Sequence, residues 1–309
     1  MRSELLNDLR FSQASKESDF LFAAKRKRRV KKEAKKTKPG RETKKTTETQ
    51  ALIPKFRGVS LRLIAVFAIA QAIALFAGAQ FLSQQVSVVK DSASLGNAAF
   101  LFAYVIGATL LMLVLVKYYK GNKLFMLVEY LLIFSTVELF AAMFVNELAS
   151  LIIAAAVVLV RHFEPRVRNG TLLLAVAVVG GLLGASLDLL PAAVFASALA
   201  FYDVIAVFYS KHMVTLAKAL DSRGAAFAVH LKEGKESIQL GTGDIVIPAM
   251  LSVSALRIAP AAAVFGLVGS LVGLVVIIVL LEKFKGYWPA LPPIVFGTLA
   301  AIGVFIVLA

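Results

Sequence analysis

Three short stretches decide the fold of this chain: AFYDVIAVF at residues 200–208, LGTGDIVIPAM at 240–250 and WPALPP at 288–293. The first two place a carboxylate, Asp203 and Asp244, among apolar residues. An acidic side chain at the centre of a membrane span costs about 2.5 kcal/mol or more, so it is by default a hypothesis for a functional site. The acids are 244 − 203 = 41 positions apart, which puts them on successive spans and predicts a catalytic pair.

Composition and run length predict an integral membrane protein. Hydrophobic residues make up 59% of the 309 and the mean hydropathy is +0.80, whereas soluble domains are about 45–50% apolar. A spanning helix needs about 20 mainly apolar residues. The predicted fold class is therefore an all-α membrane protein with nine spans. They cover approximately 61–82, 98–117, 124–145, 148–161, 171–188, 190–209, 242–257, 259–281 and 288–308.

The amino-terminal segment has a different composition from the spans. Residues 1–50 hold 16 Lys or Arg against 7 Asp or Glu, a net charge of +9. Like charges repel and little apolar surface is available for a core, so residues 1–55 are predicted to be a disordered tail and 56–309 the membrane domain. Nucleic acid or anionic lipid is an alternative partner for the tail, but a cytoplasmic tail is favoured and no nucleic acid is expected.

Loop charges predict the orientation, because basic residues of short loops stay in the cytoplasm. They cluster in alternate loops: Lys117, Lys120 and Lys123; Arg161, Arg166 and Arg168; Lys211, Lys218, Arg223, Lys232 and Lys235; Lys283 and Lys285. The predicted amino terminus is therefore cytoplasmic and the carboxyl terminus external, in the plasma membrane. Asp203 then lies in the inner half of span 6 and Asp244 in the first turns of span 7, at similar depth.

Residue types absent from the chain narrow the chemistry. There is no cysteine, which excludes disulfides, thiol nucleophiles and cysteine-ligated metals. The three histidines, His162, His212 and His230, form no HExxH pair, and no GxSxG elbow is present. The remaining chemistry is carboxylate-based, and no metal or organic cofactor is implied.

With these motifs in this order, the chain resembles the presenilin and signal peptide peptidase family of intramembrane aspartyl proteases, in a prokaryotic, archaeal-like form. Tyr202-Asp203 is similar to its YD motif, Gly241-Thr242-Gly243-Asp244 to its GxGD motif and Pro289-Ala290-Leu291 to its PAL motif. MVTLAK at 213–218 and GDIVIPAML at 243–251 resemble the signal peptide peptidase branch. The resemblance implies a presenilin-like fold with catalytic spans 190–209, 242–257 and 288–308.

The resemblance also implies roles for individual residues. Asp203 and Asp244 would activate water, and Pro289, Ala290 and Leu291 would pack beside them. The prolines of WPALPP disfavour helix before them, so this segment is predicted to enter the membrane in an extended conformation.

The residues beside the acids have competing interpretations. Gly241 and Gly243, around Thr242, would admit a substrate backbone, although ordinary small-residue helix packing is the alternative. Tyr202 would position or gate, with an interfacial aromatic as its alternative.

The long loop between spans 6 and 7 is predicted to hold structure of its own. MVTLAKAL at 213–220 is typical of an interfacial amphipathic helix. AAFAVHL and ESIQL flank Lys232-Glu233-Gly234-Lys235 and predict a small β-hairpin. Its edge would bind an unwound substrate as an added strand.

The leading functional prediction is an intramembrane aspartic endopeptidase that cleaves transmembrane segments or remnant signal peptides, in the lipid bilayer and without required accessory subunits. Its predicted orientation is presenilin-like, although its motifs resemble signal peptide peptidase. The alternative is a proton-coupled transporter or channel that uses the two aspartates as a relay. A type IV prepilin peptidase is disfavoured, since that family has a lysine soon after its GxGD aspartate and Ile245-Val246-Ile247 stand here.

Overall fold

The computed structural model describes residues 42–119, 121, 123–164, 167–210, 228–233, 236–283 and 288–309. The chain divides into two units, Met1–Lys55 and Phe56–Ala309. Packing is described for the second unit. The first 41 residues of the predicted tail and the amphipathic helix predicted at 213–220 lie outside the described residues.

The predicted spans are mainly helical, as expected of an all-α membrane protein. Each predicted stretch coincides with one α-helix: α1 Glu42–Ser83, α2 Leu95–Tyr118, α3 Lys123–Ala141, α4 Glu147–Phe163, α5 Arg168–Ser186, α6 Leu189–Ile205, α7 Thr242–Ser254, α8 Pro260–Lys283 and α9 Leu291–Leu308.

Among the described residues, seven helices are long and apolar enough to cross a membrane. Helices α4 and α7, with 17 and 13 residues, are shorter than the roughly 20 residues of a typical span. The chain is thus a multi-pass membrane protein, and the count of nine spans stays a prediction.

Helix α1 begins earlier than the apolar stretch that predicted it. It starts at Glu42, inside the segment predicted as a tail, and the boundary of the tail at residue 55 stays a prediction. Extending an existing helix adds one hydrogen bond per residue fixed, whereas starting one is costly. The apolar span from Ser60 onward therefore provides a helix onto which the polar segment adds.

Two β-strands lie in the segment between α6 and α7. Strands β1 (Ala228–Glu233) and β2 (Glu236–Gly241) pair antiparallel, with Ala228 opposite Gly241 and Glu233 opposite Glu236. Residues 234–235 of the predicted turn lie outside the described residues. Strand β2 ends at Gly241 and α7 begins at Thr242, so the strand pair fixes where the chain enters α7.

Helix α7 is the most enclosed element of the membrane unit. Every residue from Ile247 to Ala255 is buried, and α5, α6, α8 and α9 all contact this helix. Its apolar neighbours form two clusters on either side, one including Phe67 and Leu172 and the other Phe195 and Val295. A short helix that carries an acid is thereby held on all sides.

Glycines on α5 permit the close approach of α7. A Cβ added at Gly184 would lie 2.5 Å from the Met250 carbonyl oxygen and 2.6 Å from Val253 Cβ. One added at Gly180 would lie 2.8 Å from Ala249 Cβ. Small residues spaced four apart on one helix face are a common device for packing membrane helices.

Gly184→Val is expected to lower the free energy of unfolding by about 1–3 kcal/mol, because the added atoms must displace α7 backbone. Unfolding in detergent micelles measures this change. Gly303→Val is the matched control, because a Cβ at Gly303 meets nothing within 4 Å. Equal destabilisation by both variants would contradict the tight α5–α7 packing.

A polar contact joins the ends of helices on the face opposite the predicted cytoplasmic side. The Arg257 guanidinium lies 3.3 Å from Asp188 Oδ1 and donates to the Ala185 carbonyl at 2.5 Å. Asp188 directly precedes α6, and Arg257 follows α7. Asp203 is 15 positions after Asp188 and Asp244 is 13 positions before Arg257, each roughly 20 Å away at 1.5 Å per residue. The two acids therefore lie at similar depth.

Candidate active site

Asp203 lies near the end of α6, where the helix changes geometry. Residues Ala206–Ser210 continue α6 as a π-helix, a feature that often occurs at functional sites. The partly buried Asp203 carboxylate accepts a hydrogen bond at 3.3 Å from the backbone N–H of Leu291. Leu291 begins α9, and N–H groups of a first helical turn have no partner within their own helix. Helix α9 thus presents a free donor to Asp203.

Asp244 lies in the first turn of α7, two residues after the helix begins. A helix amino terminus carries partial positive charge and stabilises a carboxylate there. The side chain is partly buried, forms a hydrogen bond with the Gly241 backbone and interacts electrostatically with Asp203. The structure therefore brings together the two acids and the start of α9.

The two glycines before Asp244 have different surroundings. A Cβ added at Gly241 would lie 3.0 Å from Asp244 Oδ2, whereas one at Gly243 meets nothing within 4 Å. Gly241 has φ −63° and ψ 145°, a conformation open to any residue. Glycine is therefore favoured at position 241 for a steric reason, because a side chain would crowd Asp244. Helix packing does not account for Gly243, because this residue is exposed.

The proline-rich segment differs from its prediction. Trp288, Pro289 and Ala290 precede the helix, but Leu291, Pro292 and Pro293 form the first turn of α9. The predicted extended conformation is therefore wrong for 291–293, and also for Ala290, whose φ of −86° and ψ of −30° are helical. Proline is tolerated in a first turn because its missing N–H has no partner to lose there. Pro289 and the Leu291 side chain are buried, and Ala290 is partly buried.

A second contact joins the same two elements and was not predicted. The Phe208 ring, in the π-helical turn, meets the Trp288 ring edge to face with centroids 5.9 Å apart. Trp288 also packs against the apolar cluster around Leu274 and Ile294. Together with the Asp203–Leu291 hydrogen bond, this contact fixes the end of α6 against the start of α9. The sequence signal was a lone tryptophan directly before the PAL motif.

The remaining predicted site residues flank the acids. Tyr202 precedes Asp203 on α6 and Thr242 begins α7, and both side chains are partly buried. Within the described ranges, no group of three or more His, Cys, Asp or Glu residues is placed to hold a metal ion.

Paired acids at one depth of a helical membrane bundle, beside a proline-rich helix start, are features of the class of intramembrane aspartyl proteases. The family described as "Signal-peptide peptidase, presenilin aspartyl protease" matches residues 64–309. The chain belongs to this family, and the resemblance predicted from its motifs is confirmed.

Solved structures agree with the family assignment. A presenilin family intramembrane aspartate protease solved in space group P2 is 26% identical, with 82% of this chain and 97% of that chain covered and a TM-score of 0.61. A structure described in the same words, in space group C222, has 24% identity, coverage of 81% and 98%, and a TM-score of 0.60; this second likeness supports the fold alone.

Proposed function

We propose that this protein is an aspartic endopeptidase that hydrolyses peptide bonds within transmembrane segments of other membrane proteins or remnant signal peptides. One observation carries the proposal: Asp203 accepts a hydrogen bond from the backbone at the start of α9, and Asp244 lies near enough for the charges of the two acids to influence each other. A carboxylate pair beside backbone donors is suited to acid–base hydrolysis of an amide. Neither the family match nor the structural relatives support the alternative of a proton-coupled transporter.

The proposed reaction needs one ionised and one protonated acid. Two carboxylates held close together cannot both ionise cheaply, so the pair shares a proton. The ionised acid takes a proton from water, and the water oxygen adds to the scissile carbonyl carbon. The protonated acid donates its proton to the carbonyl oxygen. The acid that took the proton from water then donates it to the amide nitrogen as the C–N bond breaks. A hydroxyl of the intermediate returns a proton to the other acid, and the products are a carboxylic acid and an amine. The proton belongs to the pair rather than to either residue.

We assign the neighbouring residues to shaping and substrate binding. The open space at Gly243 admits a substrate backbone beside Asp244, and Gly241 leaves room for the Asp244 carboxylate. Leu291 holds Asp203 through its N–H, and the buried Pro289 and the neighbouring Ala290 close one side. Tyr202 and Thr242 flank the two acids and complete the site. No metal or organic cofactor takes part in this reaction.

The proposed topology has nine spans, with α4 and α7 as the two short ones. It places the amino terminus in the cytoplasm, the carboxyl terminus outside the plasma membrane and the acids toward the cytoplasmic side. Alternate basic loops support this orientation. In this orientation, we expect the preferred substrates to be spans whose amino terminus is external.

Strands β1 and β2 are proposed to bind the unwound substrate as an additional strand. The pair runs directly into the helix that carries Asp244, so an added strand would arrive next to the acids. A peptide bond within a helix is shielded from attack, and strand addition supplies backbone hydrogen bonds that offset unwinding.

Val229→Pro and Ile238→Pro are each expected to lower cleavage of a helical substrate about tenfold, since proline removes a strand N–H. Cleavage of a short unstructured peptide should change much less, because no helix has to be unwound. The rate ratio of the two substrates is the measurement, with Val229→Thr and Ile238→Thr as controls that keep the N–H. Unchanged cleavage of the helical substrate by the proline variants would contradict strand addition.

The proposed activity is tested with purified protein in lipid and a panel of single-span reporter proteins. We expect cleavage within the span, with product masses that place the cut bond at the depth of the acids. The panel should include both substrate orientations, so that preference for an external amino terminus is measured in the same experiment. If no reporter is cut, the protease assignment fails, and pH-driven transport in proteoliposomes becomes the activity to test.

A further inference from the structure

Gln71 is a buried polar residue in the apolar span Ser60–Ser83 of α1. Its side chain is 0% exposed. The amide Nε2 donates to the backbone carbonyl of Ile245 at 3.2 Å, across 174 positions of sequence. Its Oε1 is buried, and no hydrogen-bond partner is present for it within the described part of the chain. A buried amide is costly unless it is hydrogen-bonded, so this residue needs an explanation.

The bonded carbonyl belongs to the residue directly after Asp244. Four positions after Asp244, Pro248 lies inside α7. A proline there has no N–H to donate to the Asp244 carbonyl, and its ring crowds that carbonyl. The first turn of α7 therefore lacks one of the internal bonds that would fix the peptide carrying Asp244. The Gln71 amide, on the neighbouring helix α1, donates a hydrogen bond to the next carbonyl, that of Ile245, and so restrains this turn.

The position of the Gln71 donor is itself fixed by packing. Phe67, Ala70 and Ala74 of α1 lie in one buried apolar cluster with Ile245 and Ala249 of α7. Helix α1 also meets α5 closely, since a Cβ added at Gly181 would lie 2.8 Å from the Ala74 carbonyl oxygen. Helix α1 is therefore packed against both α5 and α7, and this packing holds the Gln71 amide in place.

We propose that Gln71 is a positioning residue, which fixes the first turn of α7 so that the Asp244 carboxylate faces Asp203. The inference rests on the proposed function for its consequence in catalysis, but the positioning itself is a property of the fold. Gln71 acts through Ile245 and does not take part in the chemical steps.

A cross-linking experiment tests the positioning without any use of proteolysis. The chain contains no cysteine, so Asp203→Cys with Asp244→Cys introduces a clean thiol pair. Cross-linking by a short bifunctional thiol reagent in lipid reports how the two positions face each other. Adding Gln71→Met, which keeps the side-chain length but removes the donor, should lower the yield at least twofold. Thr136→Val is the matched control, because it removes a buried hydroxyl that donates to Leu132 of its own helix.

Kinetics with the native acids tests the consequence. Gln71→Met should lower kcat about tenfold, which corresponds to about 1.4 kcal/mol of transition-state stabilisation, with KM unchanged. The same variant should weaken binding of a transition-state analogue that places a hydroxyl between the acids. Thr136→Val should leave kcat, KM and analogue binding at wild-type values. Gln71→Asn, whose amide is one methylene short of Ile245, provides a second test if the methionine variant fails to fold.

The outcomes separate the positioning from the activity. An unchanged cross-linking yield with Gln71→Met, or an equal loss of yield with Thr136→Val, overturns the proposal whatever the kinetics. A lower yield that is specific to Gln71 variants supports it. If the yield falls in this way but wild-type protein cuts no reporter, the proposed function fails while the positioning of residue 244 stands.

Discussion

Replacing either acid by its amide, Asp203→Asn or Asp244→Asn, should reduce the cleavage rate of a single-span substrate by about 10³-fold or more. Asparagine preserves the shape of the side chain but neither carries the charge that activates water nor exchanges a proton. General acid–base catalysis typically contributes 10²–10⁴-fold, and residues that act as a unit lose nearly everything when one is removed. Product formation at saturating substrate, in lipid, is the measurement.

The matched control for these variants is another acid of the membrane region. Glu138 lies on α3 and is partly buried, so Glu138→Gln also neutralises a membrane carboxylate but lies on a helix that carries neither acid. It should retain wild-type activity. A loss of activity in Glu138→Gln comparable to that of the Asp variants would show that the assay reports membrane charge or folding rather than the paired acids.

Glu129→Gln is expected to lower the free energy of unfolding by about 3–5 kcal/mol. Glu129 on α3 and Arg161 on α4 form an ion pair, and both side chains are buried, at 2% and 8% exposure. The guanidinium also lies 6.0 Å from the centroid of the Tyr130 ring. Removing the carboxylate charge leaves a buried cation without its counter-ion, which is more costly than the loss of the pair itself. Unfolding in detergent micelles measures the change.

Two further variants define this effect. Asp188→Asn breaks the Arg257–Asp188 pair, whose side chains are 34% and 38% exposed, and should cost less than about 1 kcal/mol. The double variant Glu129→Leu with Arg161→Leu should recover much of the stability lost in Glu129→Gln, since an apolar pair often replaces a buried ion pair at little cost. A double variant less stable than Glu129→Gln would contradict this account.

The two acids were predictable because the local sequence specified them, whereas the helical start of α9 was not. Asp203 and Asp244 stand out as charges in apolar runs, and loop charges alone predict their similar depth. Leu291 was predicted only through its motif. The Leu291 N–H can donate to Asp203 because α9 begins at Leu291. The prolines of this segment had instead predicted an extended conformation there.

Features that depend on packing between distant segments were missed. Gln71 is a polar residue in an apolar span and was detectable by the same rule that found the acids, but its partner is 174 positions away. The sequence does not show whether Glu129 is buried or lies at the membrane interface. Its burial follows from the ion pair with Arg161, which forms because α3 and α4 pack against each other. The roles of Gly180 and Gly184 likewise depend on which helix packs against α5.

The proposed mechanism requires Asp203 and Asp244 to act as one catalytic unit. Its most direct test compares cleavage rates of wild type, Asp203→Asn, Asp244→Asn and the double variant in the same lipid, with one single-span substrate. If the two acids act as one unit, the double variant should be no slower than either single variant, because the loss of one acid already removes the function of the pair. Losses that multiply in the double variant, or a single variant that keeps wild-type cleavage, would contradict it.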